Sequence, residues 1–408
     1  MLLNKIIYVL FLICFIYCCL SVGYLFLLSF AGKFFRGRKK KDHPSHLPSK
    51  KIAVLVPAYR EDGIILSTAR NLLGLDYPRD LYSIYIIADS FQPETVVQLR
   101  LLPVEVLEVS FEKSTKTKAL NEAFLRIGSS GASFDIALIC DADNMLAGNF
   151  LQKINDAFVN GAGAVQGRRV AKNLDTSFAI LDACSEAINN HIFRKGAYAL
   201  GLSSSVIGSG MAFEYDTVRD ILRDIQAVGG FDKILQLKLL EQGICIHYLE
   251  DALVFDEKVD SSEAFEQQRK RWVSSQFIYL KRFFGPACRQ LVRGNLSYFN
   301  LAVAGNLVLP RAFLFVLLPL LVLSGYWMGL SWGIAATALG LLYLLSLLLG
   351  MPADLFNRNL LVALLRLPKA IAVMVGTVFH IKRANKTFIH TVHTKTEISN
   401  TLFKDSGK

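Results

Sequence analysis

Long apolar segments lie near the beginning of the chain and again in its last third. Residues 6–32 carry no charged side chain, and a helix needs roughly 20 apolar residues to cross about 30 Å of hydrocarbon. A second uncharged block covers residues 312–351, about twice that length, with Gly325, Gly329 and Gly333 near its middle. The pattern predicts one spanning helix within residues 1–32 and two more, joined by a tight turn, within 312–351.

Short apolar runs alternate with amphipathic runs in the region between these segments. Strand-like runs cover residues 52–59, 82–89, 104–109 and 134–143, and helix-like runs cover residues 65–75 and 116–127. Strands that alternate with helices favour a parallel sheet with right-handed crossovers. The sequence therefore predicts an α/β fold with a mostly parallel, Rossmann-type sheet, in a domain spanning residues 51–282.

Basic residues indicate how the chain is oriented. The flank after the first apolar segment contains Lys33, Arg36, Arg38, Lys39, Lys40 and Lys41, whereas Lys5 precedes it. Positive loops stay in the cytoplasm, and a signal peptide would carry its charge before the apolar run rather than after it. We expect a multi-pass protein of the inner (plasma) membrane with a basic linker, residues 33–50, and its sheet domain in the cytoplasm.

The remaining segments are assigned to the membrane surface. Arg366, Pro368 and Lys369 interrupt the apolar stretch 359–381, which favours an interfacial helix over a further span. Residues 352–408 are thus expected to form this helix and a basic cytoplasmic tail, and residues 283–311 an interfacial segment. The net charge of +11 is concentrated near these boundaries, which favours anionic membrane lipids as partners and not nucleic acid.

Polar side chains gather where the predicted strands end. Tyr59 and Glu61 follow the first strand, Asp89 the second, and Asp141 and Asp143 the fourth. Ligands of open parallel sheets bind outside the carboxyl ends of the strands. Carboxylates that share one edge repel each other unless a cation lies among them. A DxD turn supplies the oxygen ligands that Mg²⁺ or Mn²⁺ prefers, so either ion is the expected cofactor.

Seven short motifs together resemble a processive-type member of glycosyltransferase family 2, the group that includes bacterial cellulose, chitin-oligosaccharide and hyaluronan synthases. They are VPAYRED (56–62), Asp89 in IIADS, KTKALN (116–121), DAD (141–143), GSGMAF (208–213), GGFDK (229–233) and QRKRW (268–272). Their order along the chain matches the family. The resemblance implies a GT-A-like fold and transfer of a sugar from a nucleotide donor.

The resemblance also implies roles for residues near the strand ends. The nucleotide-sugar-binding residues would be Ala58, Tyr59, Glu61, Asp89, Lys116 and Asp141, and the metal ligands would be Asp141 and Asp143. Other interpretations stay open at this point. Tyr59 and Glu61 could pack against and cap the following helix, and Lys116 could belong to a solvated basic face.

The expected catalytic base is Asp232. An inverting transfer needs a carboxylate to accept the proton of the attacking hydroxyl, and the resemblance places this role on Asp232. The family has a Glu immediately before the base, whereas this chain has Phe231, which can neither accept a hydrogen bond nor carry charge. An acid in the first turn of the following helix is the structural alternative for Asp232.

Two motifs are expected to hold the acceptor and the diphosphate. Gly208 and Gly210 suit a loop in which backbone approaches a ligand, although paired glycines also form ordinary turns. Gln268 and Arg271 are three residues apart on a predicted helix, Arg271 can donate two hydrogen bonds to phosphate, and Trp272 offers a face for a sugar ring.

The expected activity is therefore inverting transfer of a hexosyl or N-acetylhexosaminyl group from a UDP-sugar to a growing β-linked polysaccharide. Single transfer to polyprenyl phosphate or another lipid-linked acceptor is the alternative within enzymes. A membrane-anchored, inactive carbohydrate-binding or assembly subunit is the alternative of a different class, suggested by Phe231. An export or assembly subunit is a further expected partner, because three spans offer little material for a polymer channel.

Overall fold

The computed structural model describes residues 2–35, 49–227, 229–259, 262–378 and 393–400. Most of the predicted basic flank and linker, and residues 379–392 and 401–408 of the predicted tail, lie outside this description. The chain divides into two compact units. Among the described residues, we call 49–183, 203–227, 229–259 and 393–400 the sheet unit, and 2–35, 184–202 and 262–378 the helical unit.

Strands and helices follow one another along the chain as follows. The strands are β1 Ile52–Tyr59, β2 Tyr82–Asp89, β3 Glu105–Val109, β4 Ile136–Ile139, β5 Met145–Leu146, β6 Ala164–Ala171, β7 Met211–Glu214 and β8 Ile246–Asp256. The first nine α-helices are α1 Leu2–Phe34, α2 Ile65–Leu73, α3 Pro93–Arg100, α4 Lys116–Ser129, α5 Phe150–Val159, α6 Ser177–Asn189, α7 Ala197–Ala199, α8 Tyr215–Arg223 and α9 Phe231–Glu241. The remaining α-helices are α10 Ser262–Val292, α11 Leu296–Phe299, α12 Gly305–Leu307, α13 Arg311–Met328, α14 Leu330–Gly350, α15 Arg358–Leu364 and α16 Leu367–Val378.

The described part of the sheet unit contains one sheet in the order β3-β2-β1-β4-β7-β6-β8-β5. The β1–β2, β2–β3, β1–β4 and β6–β8 pairs are parallel. Pairs that involve β7, and the β5–β8 pair, are antiparallel. The predicted α/β class with a mostly parallel sheet is confirmed.

Hydrophobic burial explains why β1 and β2 occupy interior positions in the sheet. Ile52, Val54 and Val56 on β1 are fully buried and belong to a core cluster with Ile84 and Ile86 on β2. Helix α2 contributes Ile65, Ala69 and Leu72 to the same cluster. Strands covered on both faces read as continuous apolar runs, as these do. The carboxyl ends of β1 and β2 are therefore anchored side by side by the same buried core.

Three helices of the described helical unit are long and apolar enough to cross a membrane: Asn4–Phe34, Arg311–Met328 and Leu330–Gly350. Gly329 separates the last two, with φ of 149°, a backbone conformation that favours glycine. A Cβ on Gly333 would lie 2.3 Å from the ring of Tyr326. The glycines thus form the tight turn and allow α13 and α14 to approach closely.

The polar stretch at the end of α6 packs within the helical unit. A ring nitrogen of His191 lies 2.8 Å from the carbonyl oxygen of Ser29, and its ring also lies against Gly32 and Gly350. Arg194 pairs with Glu186 at 3.1 Å and donates to Asn190 at 2.7 Å. The contacts of His191 with Ser29, Gly32 and Gly350 give it a packing role.

Candidate active site

Strands β1 and β2 end beside each other. Tyr59 pairs with Asp89 in the register of the two strands, and the next residues, Arg60 and Ser90, have φ of 55° and 59°. Left-handed backbone is unfavourable for non-glycine residues and is often found at functional sites. The amide of Arg60 donates to the carbonyl of Asp89 at 3.1 Å, and the hydroxyl of Ser90 donates to its carboxylate at 2.9 Å.

The DxD turn after β4 is held by buried side chains from elsewhere in the sheet unit. Thr68 donates its hydroxyl to the carbonyl of Ala142 at 2.6 Å. The ammonium of Lys172 donates to the carbonyl of Asp143 at 2.8 Å. Lys172 is fully buried, and burial lowers its pKa although the carboxylate of Asp143 opposes that shift. These bonds fix the backbone that presents the two aspartates.

Lys116 lies between the DxD turn and the glycine loop. Its ammonium forms an ion pair with Asp141 and donates to the carbonyl of Gly208 at 2.6 Å. It also lies 5.5 Å from the centroid of the Phe231 ring. Lys116 is the first residue of α4, where the helix dipole disfavours a positive charge. Lys116 therefore does not stabilise α4 and instead places a cation beside Asp141.

The glycine loop between residues 208 and 210 is shaped by backbone conformation and close packing. Gly208 and Gly210 have φ of 85° and 60°, and a Cβ on Gly210 would lie 2.3 Å from the side chain of Val254. The buried amide of Gln166 donates to the carbonyl of Ser209 at 3.0 Å. Gly210 thus cannot carry a side chain without displacing the side chain of Val254 on β8.

Asp232 lies in the first turn of α9, which begins after Gly230 with φ of 67°. Burial raises the pKa of Asp232, and the positive charges of Lys233, Lys116 and Arg169 oppose that rise. A carboxyl group with a raised pKa is a better proton acceptor than an ordinary aspartate. The nearby cations also show that Asp232 belongs to the same electrostatic environment as Lys116.

Sequence reasoning missed His393. Its Nδ1 lies 2.9 Å from a carboxylate oxygen of Glu61. Burial alone would lower the pKa of His393, but the hydrogen bond to Glu61 and the charges of Asp143, Glu61 and Glu257 outweigh it and raise the pKa to about 9. His393 is therefore a cation among carboxylates of the predicted site.

Residues 393–400 dock along the sheet unit. The backbone amide of Lys395 donates to Glu257 at 2.9 Å, Asn400 donates to the carbonyl of Ala171 at 2.7 Å, and Ile398 packs against a cluster that includes Phe255. This segment has neither helical nor strand periodicity, so its pattern could not predict docking. The sequence offered one hint of a functional role for this segment, which was the presence of His393 and Lys395 in the predicted tail.

The QRKRW residues Gln268, Arg271 and Trp272 lie on α10, in the helical unit. The guanidinium of Arg269 lies 4.4 Å from the Trp272 ring centroid, so one face of this indole is covered. The side-chain oxygen of Gln268 is buried and has no hydrogen-bond partner in the described part of the chain. Their contribution to one acceptor site with Asp232 stays a prediction.

The residues around the DxD turn fit a divalent cation by their chemistry. Asp141 and Asp143 supply the carboxylate oxygens that Mg²⁺ and Mn²⁺ prefer. His393 is protonated near Asp143, so it would have to lose a proton before its ring nitrogen could bind a metal. In the described ranges, no group of three His, Cys, Asp or Glu side chains is already arranged as a metal site. Lys116 contacts one carboxylate oxygen of Asp141, and a carboxylate can offer its second oxygen to a metal.

The sheet order and the carboxylates at its strand ends define a GT-A-like glycosyltransferase fold. A mannosyltransferase from Pyrobaculum calidifontis, solved in complex with GDP-Man and Mn²⁺, superposes with a TM-score of 0.55 at 17% identity, covering 92% of this chain and 100% of that one. Residues 48–275 match the family described as "Glycosyltransferase like family 2". The chain belongs to this family.

Curated relatives are similar over part of their length. A probable glycosyltransferase of Bacillus subtilis, YdaM, is 23% identical over 60% of this chain and 59% of its own. A beta-monoglucosyldiacylglycerol synthase of Trichormus variabilis is 27% identical over 55% of this chain and 49% of its own. An N-acetylglucosaminyltransferase of Rhizobium meliloti is 27% identical, over 56% of each chain. The chain thus spans about half the length of the relatives it matches.

Proposed function

We propose that this chain is an inverting membrane glycosyltransferase that moves a sugar from a UDP-sugar to a growing β-linked polysaccharide. The observation that carries the proposal is the position of Lys116, which contacts both Asp141 and the carbonyl of Gly208. The DxD turn, the glycine loop and the start of α4 therefore meet at one place. A diphosphate there would find a cation and backbone donors.

In the proposed donor site, Ala58, Tyr59, Glu61 and Asp89 bind the base and ribose. These residues lie at the ends of β1 and β2, where nucleotides bind in sheets of this kind. Lys116 binds the diphosphate. Asp141 and Asp143 would hold Mg²⁺ or Mn²⁺, which would offset the charge of the leaving diphosphate when bound.

Asp232 is the proposed base. Its carboxylate accepts the proton of the acceptor hydroxyl as that oxygen attacks the anomeric carbon, so the sugar is transferred with inversion and without a covalent intermediate. Gly208 and Gly210 let the backbone approach the substrates closely. Gln268, Arg271 and Trp272 frame the acceptor and the diphosphate, as the family resemblance implies.

Two acceptor classes compete. QRKRW supports extension of a glycan, and the resemblance to the Rhizobium meliloti N-acetylglucosaminyltransferase agrees with an N-acetylhexosamine donor. The name of the Trichormus variabilis relative, a beta-monoglucosyldiacylglycerol synthase, instead supports a single transfer to a lipid. We propose glycan extension first and lipid glycosylation as the alternative.

The proposed location is the inner membrane, with several spans and the sheet unit in the cytoplasm. Helices α1, α13 and α14 are long and apolar enough to cross it. The proposed domain division is a span at 1–32, a linker at 33–50, the catalytic domain at 51–282, an interfacial segment at 283–311, two spans at 312–351 and an interfacial region from 352 onward.

The test is nucleotide release by the purified full chain in detergent with Mn²⁺ and a panel of UDP- and GDP-sugars. Each reaction is compared with an Asp232→Asn variant, and products are separated into lipid-soluble and water-soluble fractions. We expect release with a UDP-sugar, loss of that release in the variant, and sugar in a water-soluble polymer. Sugar in the lipid fraction would favour the lipid acceptor, and no release with any donor would favour a binding or assembly subunit.

A further inference from the structure

Phe231 stands where the resemblance leads us to expect a glutamate, and the structure shows what its ring contacts. Phe231 is the first residue of α9 and is 7% exposed. The ammonium of Lys116 lies 5.5 Å from its ring centroid. A cation within about 6 Å of an aromatic face is attracted by the ring quadrupole. Phe231 is thus adjacent to the lysine of the proposed donor site.

Three groups contact the ammonium of Lys116. Asp141 provides the ion pair, the carbonyl of Gly208 accepts a hydrogen bond, and the Phe231 ring provides an uncharged surface. The Lys116 side chain is 22% exposed, so it retains access to solvent and to a ligand. An ammonium on a flexible four-carbon stem needs such contacts to keep one position.

A carboxylate at position 231 would act differently from a ring. It would form an ion pair with Lys116 and offset the positive charge that a diphosphate needs. The ring attracts the ammonium without neutralising it. Phenylalanine at position 231 therefore restricts the position of Lys116 without adding a second carboxylate to the one that Asp141 already provides.

We propose that Phe231 is a positioning residue, which holds the Lys116 ammonium beside Asp141 and Gly208 so that it meets the diphosphate of the donor. This proposal rests on the proposed function, because it assumes a nucleoside diphosphate at Lys116. Phe231 is then part of the donor site, and its presence in place of the family's glutamate is not a sign of inactivity.

The test is a double-mutant cycle on UDP binding, measured by titration calorimetry with the full chain in detergent and Mn²⁺, without turnover. The variants are Phe231→Leu, Lys116→Met and the pair together. We expect Phe231→Leu to weaken UDP binding roughly three- to tenfold. In the Lys116→Met background the same change should have almost no further effect, because the cation that the ring attracts is gone.

Two further variants separate positioning from folding. Phe231→Tyr keeps an aromatic face and should bind UDP as the unmodified chain does. Phe111→Leu is the matched control, because Lys118 lies 5.9 Å from the Phe111 ring centroid and neither residue has a role in the proposed site, so this change should leave UDP affinity unchanged. Thermal unfolding of each variant in the same detergent shows whether the fold is retained.

The outcomes distinguish the two claims. Equal weakening by Phe231→Leu in both backgrounds, or unchanged UDP binding in a folded Phe231→Leu chain, would overturn the positioning role and leave the proposed function standing. An unmodified chain that binds neither UDP nor GDP would overturn both. Coupling between residues 231 and 116, with Tyr retaining affinity, would support the positioning role.

Discussion

Burial raises the pKa of Asp232 above the ordinary value for aspartate, which has a direct consequence for activity. The proposed base works only when deprotonated, so activity should fall as pH decreases through the raised pKa. Below that pH we expect about a tenfold loss of kcat per pH unit. The acid limb of a kcat–pH profile should therefore lie above the ordinary aspartate pKa of 3.8.

The control for this pH profile is the unfolding temperature of the chain over the same range. A fall in kcat that coincides with unfolding would report lost structure and not protonation of the base. An acid limb at or below the ordinary aspartate range would contradict the raised pKa. Asp232→Asn should leave no pH-dependent activity above background.

Gly208 and Gly210 form a matched pair for measuring close packing in the glycine loop. Both have positive φ, so alanine costs about 1 kcal/mol of backbone strain at either position. A Cβ at Gly210 would also lie 2.3 Å from Val254, whereas at Gly208 it would meet nothing within 4 Å. We expect Gly210→Ala to lose about 1–3 kcal/mol more stability than Gly208→Ala.

Thermal unfolding of the two glycine variants in detergent provides the measurement. Equal destabilisation would show that Val254 and β8 move aside and that the loop is not tightly packed. The residue types in GSGMAF pointed to a loop with close backbone approach. They could not show that the close neighbour is Val254, because that contact depends on the position of β8 in the sheet.

At the scale of secondary-structure elements, the docked segment 393–400 leads to a prediction about metal binding. His393 lies beside Glu61 and near the charge of Asp143. We expect Mn²⁺ to displace a proton from His393 and to be held in part by its ring nitrogen. His393→Ala should therefore weaken Mn²⁺-dependent UDP binding about 10- to 100-fold. Calorimetric titration of UDP with and without Mn²⁺ measures this effect, which should vanish when the metal is chelated.

Thr396→Ala serves as the control within the same segment, because Thr396 is exposed. It should change neither UDP affinity nor its dependence on Mn²⁺. If both variants weakened binding equally, the segment would act through general packing. If His393→Ala bound UDP and Mn²⁺ normally, His393 would have no part in the donor site.

Element periodicity explains which parts of the fold could be predicted. Strands β1 and β2 have the predicted bounds, 52–59 and 82–89, and α4 begins at the predicted Lys116, because buried strands and an amphipathic helix have clear patterns. Residues 393–400 have no such pattern. Their docking depends on hydrogen bonds to the carboxylate of Glu257 and to the carbonyls of Lys172 and Ala171, which no local sequence signal specifies.

At the scale of the whole molecule, the orientation in the membrane can be tested independently of activity. Basic residues after α1 and the apolar lengths of α1, α13 and α14 predict a cytoplasmic sheet unit. Reporter fusions after residues 35 and 351 should both indicate the cytoplasm, whereas one inserted at Gly329 should indicate the opposite side. A cytoplasmic signal at Gly329 would contradict two spans at α13 and α14.

Residues 393–400 also affect how the protein is made. They contact β6 and the segment after β8, yet they follow α13 and α14 along the chain. A ribosome translates the sheet strands long before it reaches His393. Until then Glu61 has no imidazole beside it, and the acidic edge of the sheet has Lys116 and Lys172 but not His393 to offset its charges. The proposed donor site includes His393, so we expect it to be complete, and the sheet unit to become active, only after both apolar helices have been synthesised.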